Sequence, residues 1–142
     1  MKCLKSTLLT CWLYVYLCCS SDDVTSDSEI PKSGDAVLIH GTSHNGEYDE
    51  ARAIYEPFAY QKLSQWIKTI VDDKGKACFM YLHIYKGEQD GENIYLVSSD
   101  IDNTIGNFYD KDGVRFDIGN MSYMDFFHTT TNWKMIYYYS FS

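Results

Sequence analysis

KACFMYLHIYKGEQDGENIYLV, residues 76–97, is the stretch that decides the fold class. In its first half, Lys76–Tyr85, both alternating sets of side chains are apolar, which predicts a central strand covered on both faces. Gly87 and Gly91 bracket a polar turn, and Asn93–Val97 returns as a second strand. The stretch therefore predicts a β-hairpin in the middle of a sheet.

The segment before this hairpin predicts the main helix of the domain. Glu56 and Pro57 suit a first helical turn. The backbone N–H that proline lacks would have no hydrogen-bond partner within the helix at that position, and the Glu56 carboxylate is attracted to the positive end of the helix dipole. Apolar residues follow at helical spacing: Leu63, Trp66, Ile67, Ile70 and Val71. Gly75 is a natural stop. We therefore predict a helix over about 57–73, with three side chains contacting the sheet: Trp66, Ile67 and Ile70.

Shorter patterns predict two further parts of the sheet. Ala36–Ile39 is an apolar run that fits a first strand, and the glycine-containing segment 41–46 ends it. Asn107–Tyr109 and Val114–Phe116 flank an Asp-Gly pair, which supplies the positive φ that a tight hairpin turn needs. These patterns predict a first strand and a second hairpin.

The C-terminal part predicts a short helix and a closing strand. Ser122 is followed by Asp125 three residues later, which is the spacing of a helix N-terminal cap, and the helix is expected to end at about Thr130. WKMIYYYSFS, residues 133–142, fits a closing strand. Together the elements predict an α+β domain over 36–142, with one long helix packed on an antiparallel sheet of about five strands and a short second helix.

The first 18 residues predict an export signal. Lys2 and Lys5 form a short positive segment, and Leu8–Leu17 is almost entirely apolar. A membrane-spanning helix needs roughly 20 apolar residues, so this run is too short to span a bilayer. An ordinary buried N-terminal helix or strand is the alternative. Residues 20–35 are rich in Ser and Asp, which predicts a flexible tether.

The junction LCCSSDD, residues 17–23, resembles the export signal of bacterial lipoproteins, especially the small surface lipoproteins of Bacteroides and its relatives. In that class the signal is cut before a cysteine, the cysteine is acylated, and acidic residues follow. The resemblance implies lipidation of Cys19, with Cys18 as the alternative, and an anchor on the surface or periplasmic face of the outer membrane. The implied organisation is a signal peptide over 1–18, a lipidated cysteine and tether over 19–35, and a single domain over 36–142.

Motifs in the domain resemble a family of small Bacteroides-type lipoproteins of uncharacterised function. The residues that carry the resemblance are W-I-x-x-I at 66–70, Tyr85-Lys86-Gly87, Ile94–Val97, Phe108–Gly113, Asp125–Phe127 and Trp133–Tyr137. The resemblance covers about residues 60–137. It implies an exported domain and brings no catalytic residues with it.

The charge of the chain limits its partners. The formal charge is −8, and all 20 acidic residues lie beyond position 21. Removing residues 1–18 takes away Lys2 and Lys5, which leaves 10 basic and 20 acidic residues and a charge of −10. A surface of this sign repels phosphate backbones and anionic lipids, so nucleic acid is not an expected partner. Four of the five cysteines fall in the first 19 residues, so no disulfide is predicted within the domain.

The segment after the first strand is the strongest candidate for metal chemistry. His40 and His44 are followed by three carboxylates, Glu47, Asp49 and Glu50. These residue types suit a zinc site or a hydrolase. Two glycines loosen the segment, however, so we predict an exposed polar connection and no metal, with zinc and a hydrolase as open alternatives.

Two acidic turns, Asp100–Asn103 and Asp110–Gly113, contain the oxygen ligands that calcium prefers. Neither has its ligands at the spacing of a calcium-binding loop, so we predict ordinary turns. Cys78 and His83 are five residues apart on a predicted strand and point to opposite faces, which argues against a catalytic pair. No cofactor is therefore expected.

The C-terminal tyrosines give the candidate contact site. Tyr137, Tyr139 and Phe141 lie on the closing strand and are predicted to contact a ligand, either a glycan or a protein partner, unless a helix or loop covers them. We therefore predict a non-catalytic binding or accessory module, held at the membrane by its lipid anchor. The alternative is an inhibitor or immunity-type protein whose acidic surface plugs the basic cleft of a secreted enzyme.

Overall fold

The computed structural model describes residues 30–74, 80–100 and 107–141, and the residues from Pro31 onward form one compact unit. The predicted signal peptide, Cys18, Cys19 and most of the tether lie outside the described residues, as does Cys78. The last residues of the predicted tether form a turn in which the Asp35 carboxylate accepts a hydrogen bond from the Lys32 N–H at 2.8 Å. The Gly34 N–H donates to the Tyr55 carbonyl at 2.8 Å, so this turn is joined to the domain.

The described residues form a six-stranded sheet with two short α-helices. The strands are β1 (Ala36–Thr42), β2 (Tyr48–Tyr55), β3 (Tyr81–Gln89), β4 (Glu92–Ser99), β5 (Asn107–Tyr109) and β6 (Thr131–Ser140). The helices are α1 (Gln65–Asp73) and α2 (Tyr123–Thr129), and Tyr60–Lys62 forms a 3-10 turn. The strand order is β1-β2-β6-β3-β4-β5. β2 and β6 are parallel and the other neighbours are antiparallel, so the sheet is mixed.

The predicted fold class, a long helix on an antiparallel sheet of about five strands, is wrong, because the protein is mostly sheet and its α-helices have nine and seven residues. The sequence prediction missed β2, whose letters are YDEARAIY. Its two buried positions are alanines, Ala51 and Ala53, while the larger Tyr48 and Ile54 are exposed. Small inward residues and large outward ones hide the alternation that marks a strand.

The helix predicted over about 57–73 begins only at Gln65. The backbone N–H groups of Glu56 and Phe58 donate to the Met135 and Ile136 carbonyls, at 3.0 and 2.9 Å. The chain therefore remains extended alongside β6, and the proline between those two residues has no N–H to lose from this ladder. The three buried side chains of the segment are Leu63, Ile67 and Val71, with Trp66 and Ile70 only partly buried.

Two predictions from local pattern are confirmed. β3 and β4 pair as an antiparallel hairpin, with the turn at Asp90 and Gly91, both of which have positive φ. Gly87, which was predicted to open the turn, instead lies within β3 and pairs with Ile94. The Ser122 hydroxyl accepts a hydrogen bond from the Asp125 N–H at 3.1 Å and caps α2. Both features depend on residues that are close in sequence, which explains why the sequence pattern was sufficient to predict them.

The second predicted hairpin is only partly formed. β5 has three residues, and its return arm is reduced to a single bridge between Tyr109 and Arg115. The turn itself is present, with Gly113 at a φ of +80°. A Cβ on Gly113 would lie 2.5 Å from the Trp66 ring, whose N–H donates to the Lys111 carbonyl at 3.2 Å. The turn therefore serves as a docking surface for α1.

Buried side chains cover both faces of the sheet, and each buried aliphatic or aromatic group contributes roughly 1.5–3 kcal/mol. The α2 face, which α2 covers, buries Ile39, Ala51, Ala53, Tyr85, Ile94, Leu96, Phe108, Met124, Phe126, Phe127, Trp133 and Met135. The α1 face, which α1 covers, buries Leu63, Ile67, Val71, Leu82, Ile84, Tyr95, Val97 and Ile136. The central strands β3, β4 and β6 contribute to both clusters, so they form the middle of the fold.

Candidate functional site

A groove of about 300 Å³ opens beside the start of α2, and we call it the aromatic groove. It is lined by Leu38, Ile39, His40, Tyr81, His83, Tyr85, Ser98 and Tyr123. Tyr81, His83 and Tyr85 are alternate residues of β3 and share one face, because side chains of a strand repeat every second residue. Ser98 of β4 lies opposite His83 in the strand register. None of these eight lining residues is Asp, Glu, Lys or Arg.

The wall of the groove opposite β3 is formed by β1. In a flat sheet β1 and β3 would be separated by roughly 14 Å, since they are three strand spacings apart. Both strands nevertheless contribute lining residues to one groove, together with Tyr123 of α2. Three consecutive residues of β1, Leu38–His40, line the groove, whereas side chains on one face would contribute only alternate residues. β1 therefore contributes residues from both of its faces to the groove.

The position of Tyr123 in the groove depends on close packing between α2 and β1. A Cβ on Gly41 would lie 2.7 Å from Cγ of Met124 and 3.4 Å from the Tyr123 ring. Gly41 was predicted to end the first strand, but it lies within β1 and allows α2 to approach. Substitution of Gly41 by a larger residue would push the helix start, and Tyr123 with it, away from β1.

Two histidine–aspartate pairs join the β1–β2 hairpin to α2. His44 Nδ1 lies 3.1 Å from Asp125 Oδ2, and the His44 backbone N–H donates to the same oxygen at 3.2 Å. His128 Nε2 lies 2.9 Å from Asp49 Oδ2. The Ser122 hydroxyl, and then the His44 contacts, hold the pKa of Asp125 below its usual value. The pairs therefore help to fix α2, and Tyr123 with it, against the hairpin.

The same contacts bear on the zinc and hydrolase alternatives. His40 Nδ1 contacts the Tyr48 hydroxyl and His44 contacts Asp125, so the two histidines have different partners. The Ser122 hydroxyl donates to Asp125 at 2.7 Å, whereas an activated serine would donate to an imidazole. Across residues 30–74, 80–100 and 107–141, no group of three or more His, Cys, Asp or Glu side chains is placed to hold a metal ion.

The carboxylates of the two acidic turns accept hydrogen bonds from the backbone. Asp100 Oδ1 accepts from the Met80 and Tyr81 N–H groups, at 2.8 and 3.2 Å. Asp110 Oδ1 accepts from the Asp112 and Val114 N–H groups, both at 2.9 Å. Asp100 thus closes the start of β3, and Asp110 closes its own turn. The remainder of the first calcium candidate, after Asp100, lies outside the described residues.

His83 is the most unusual residue of the aromatic groove. Its ring stacks on Tyr138, with 4.9 Å between centroids, and lies 5.2 Å from the Tyr81 ring. Its Nε2 is buried and has no hydrogen-bond partner among the described residues. Burial lowers the pKa of His83 to about 4, so the imidazole is neutral at pH 7.

The tyrosines beside His83 are also neutral at physiological pH. Burial, and then the nearby Tyr123, raises the pKa of Tyr85. Burial, and then Tyr81, raises the pKa of Tyr123. Because Tyr85 and Tyr123 are neutral, their hydroxyls act as hydrogen-bond donors and acceptors and add no net charge to the groove.

The predicted contact residues lie outside this groove. Tyr137 and Tyr139 are half-buried against the α1 face, and Lys74 Nζ lies 5.4 Å from the Tyr139 ring. Phe141 is 66% exposed, and its N–H donates to the Met80 carbonyl at 2.8 Å. A β-bulge in β6 explains the arrangement, because Tyr85 pairs with Met135 while Ile84 pairs with Tyr137. The extra residue reverses the alternation and places Tyr138 beside His83.

We expect the free energy of unfolding to fall as the pH drops from about 6.5 to about 4. The unfolded chain protonates His83 with a pKa of 6.5, whereas the folded protein does so only at a pKa of about 4. Between these values the unfolded state holds more protons, so stability rises with pH by at most roughly 1.4 kcal/mol per pH unit from this residue. Urea unfolding at several pH values measures the slope, and His83→Phe is expected to reduce it.

The other histidines are present in both proteins, so the difference in pH slope between wild type and His83→Phe isolates the contribution of His83. NMR titration of the folded protein gives the pKa of the imidazole directly. A pKa near 6.5 for His83, or an identical pH slope in His83→Phe, contradicts the prediction.

Comparison with known proteins gives no relative from which to transfer a function: no protein-family model, no curated protein and no solved structure matches the chain. In the described part of the chain, every helix is too short or too polar to cross a lipid bilayer. The site must therefore be interpreted from its own geometry.

Proposed function

We propose that the chain is a lipid-anchored cell-envelope protein whose domain is a non-catalytic binding module, and that the aromatic groove is its binding site. The observation that carries the proposal is the groove itself, a concave space of about 300 Å³ whose eight lining residues include three tyrosines and no Asp, Glu, Lys or Arg. Binding sites for small molecules are concave and mostly apolar, with a few placed polar groups. The aromatic groove has this composition, with aromatic rings, two aliphatic side chains, one serine and two histidines.

The lipid anchor is supported by the sequence alone. A positive segment, an apolar run too short to span a bilayer, and adjacent cysteines precede an acidic tether. Two or three acyl chains on Cys19 would hold a soluble domain at a membrane, since each buried CH₂ contributes about 0.8 kcal/mol. The resemblance to Bacteroides-type surface lipoproteins supports the outer membrane as the location.

The non-catalytic role is supported by what the polar clusters do in the fold. The His44–Asp125 and His128–Asp49 pairs lie between the hairpin and α2, where they stabilise the position of Tyr123. Asp100 and Asp110 accept backbone hydrogen bonds. These contacts give the two histidine–aspartate pairs, Asp100 and Asp110 a structural role in the fold.

The distribution of the carboxylates gives the inhibitor hypothesis less support than the aromatic groove gives the binding hypothesis. A carboxylate plug needs its charges on one protruding loop. The described carboxylates are instead spread over several turns. Asp35, Asp110 and Asp117 accept backbone hydrogen bonds in three separate turns, and Glu88, Asp90 and Glu92 lie at the β3–β4 turn. We therefore assign the binding function to the aromatic groove.

A fragment screen tests the proposal without assuming the ligand. The probes are a library of small neutral, anionic and cationic fragments, and saturation-transfer NMR detects binding to the domain. Ser98→Trp fills the groove from β4, and Ser33→Trp is the matched control on an exposed turn. We expect fragments that bind wild type and Ser33→Trp and lose binding to Ser98→Trp.

The proposal is wrong if no fragment discriminates between the two variants. Circular dichroism of Ser98→Trp shows whether it is folded. If it is not, Tyr81→Ala replaces it as the groove variant, because Tyr81 is only partly buried.

A further inference from the structure

We infer that the aromatic groove binds an uncharged, hydroxylated ring, such as one residue of a neutral sugar. The inference rests on the proposed function, because it names the ligand class of the same site. Three properties of the lining residues carry it: the lack of formal charge, the density of neutral polar groups on aromatic rings, and the size and openness of the groove.

The lack of formal charge favours an uncharged ligand. None of the eight lining residues is acidic, lysine or arginine. A charged ligand would lose hydration on entering the groove and gain no opposite charge in return, which is unfavourable. The buried imidazole of His83 is neutral and offers no cation to an anionic ligand at pH 7.

The polar groups favour a ligand with hydroxyls. Three hydroxyl-bearing residues that line the groove, Tyr81, Ser98 and Tyr123, are only partly buried, whereas Tyr85 is 4% exposed and belongs to the core of the α2 face. A purely apolar ligand would remove water from these groups and leave their donors and acceptors unpaired. A ring with several hydroxyls can replace that water, while its C–H faces contact the aromatic rings.

The size of the groove fits a ring of this kind. Its volume is about 300 Å³. This equals the liquid volume of roughly ten water molecules, which is enough for about one or two six-membered rings. The groove is largely open to solvent, so a bound ring is able to continue into a longer chain. A free sugar and the end of a glycan therefore share the required chemistry.

The test compares neutral sugars with charged relatives that have the same six-membered ring. The neutral probes are methyl glycosides of glucose, galactose, mannose and N-acetylglucosamine, and the charged probes are methyl glucuronide and methyl glucosaminide. Titration calorimetry and NMR measure their affinities for the domain. We expect at least one neutral glycoside to bind about tenfold more tightly than its charged counterpart. A neutral oligosaccharide that binds more tightly still assigns the site to a glycan, and equal binding assigns it to a free sugar.

Two variants locate the binding. Tyr81→Ala is expected to weaken the best neutral glycoside by about tenfold. Tyr60→Ala, at an exposed tyrosine outside the groove, is expected to leave the affinity unchanged. Tyr81→Phe retains the ring and loses only the hydroxyl, so it provides a folded variant if the alanine variant is unstable.

The inference is overturned if charged and neutral probes bind equally, or if fragments occupy the groove and no neutral glycoside does. In the second case the proposed binding function stands and only the ligand class is wrong. If no fragment and no glycoside responds to the groove variants, the binding function fails as well.

Discussion

Trp133→Ala is expected to lower the free energy of unfolding by about 4 kcal/mol. Trp133 is 6% exposed and stacks on Phe127, with ring centroids 4.2 Å apart and an angle of 7° between the planes. Its ring N–H donates to the Phe127 carbonyl at 2.8 Å, at the end of α2. The substitution would leave a cavity on the α2 face, and the Phe127 carbonyl would lose the hydrogen bond from the indole N–H. Urea unfolding followed by circular dichroism measures the loss.

Such a loss is a large share of the roughly 5–15 kcal/mol that stabilises a typical domain. Trp133→Phe retains an aromatic ring and removes the N–H donor, so we expect a loss of about 1–2 kcal/mol. Trp66→Ala, at a partly buried tryptophan on α1, is the control for loss of an indole outside this cluster. A loss below about 1 kcal/mol for Trp133→Ala contradicts the assignment of Trp133 to the core.

Cys19→Ala is expected to move the protein from the membrane fraction to the soluble fraction of cells that process lipoproteins. The physical reason is that a thiol is the site of acylation, and each acyl CH₂ buried in the bilayer contributes about 0.8 kcal/mol. Cell fractionation followed by immunoblotting measures the distribution. Mass spectrometry of the wild-type protein from membranes should show the loss of residues 1–18 and acyl chains on Cys19.

Cys18→Ala is the matched control, because it removes the neighbouring thiol and should leave the protein in the membrane fraction. Release by Cys18→Ala and retention by Cys19→Ala would move the acylation site to Cys18. Membrane retention of the double variant would contradict a lipid anchor at this junction.

The parts of the fold that could be predicted from sequence depend on local patterns. The β3–β4 hairpin has apolar residues on both faces and a glycine turn, and the Ser122 cap needs only Asp125 three residues later. The start of α1 could not be predicted in this way. Pro57 suits a first helical turn in isolation, but backbone hydrogen bonds to β6 hold the segment extended, and β6 lies far along the chain.

The aromatic groove was less predictable than the fold. The alternation of Tyr81, His83 and Tyr85 is visible in the sequence, but the chain gives no local sign that residues of β1 line the same groove. The predicted contact residues Tyr137 and Tyr139 are partly buried against the α1 face, outside the groove. A bulge in β6 changes which face each tyrosine occupies, and its position is set by pairing with β3.

Amide chemical-shift mapping tests the binding site most directly. The probe is the neutral glycoside or fragment with the highest affinity, added to ¹⁵N-labelled domain. The account predicts that the largest shifts fall on the groove walls, at Leu38–His40, Tyr81–Tyr85, Ser98 and Tyr123. Shifts concentrated instead at Tyr137, Tyr139 and Phe141, or at α1, would contradict the assignment of the aromatic groove as the binding site.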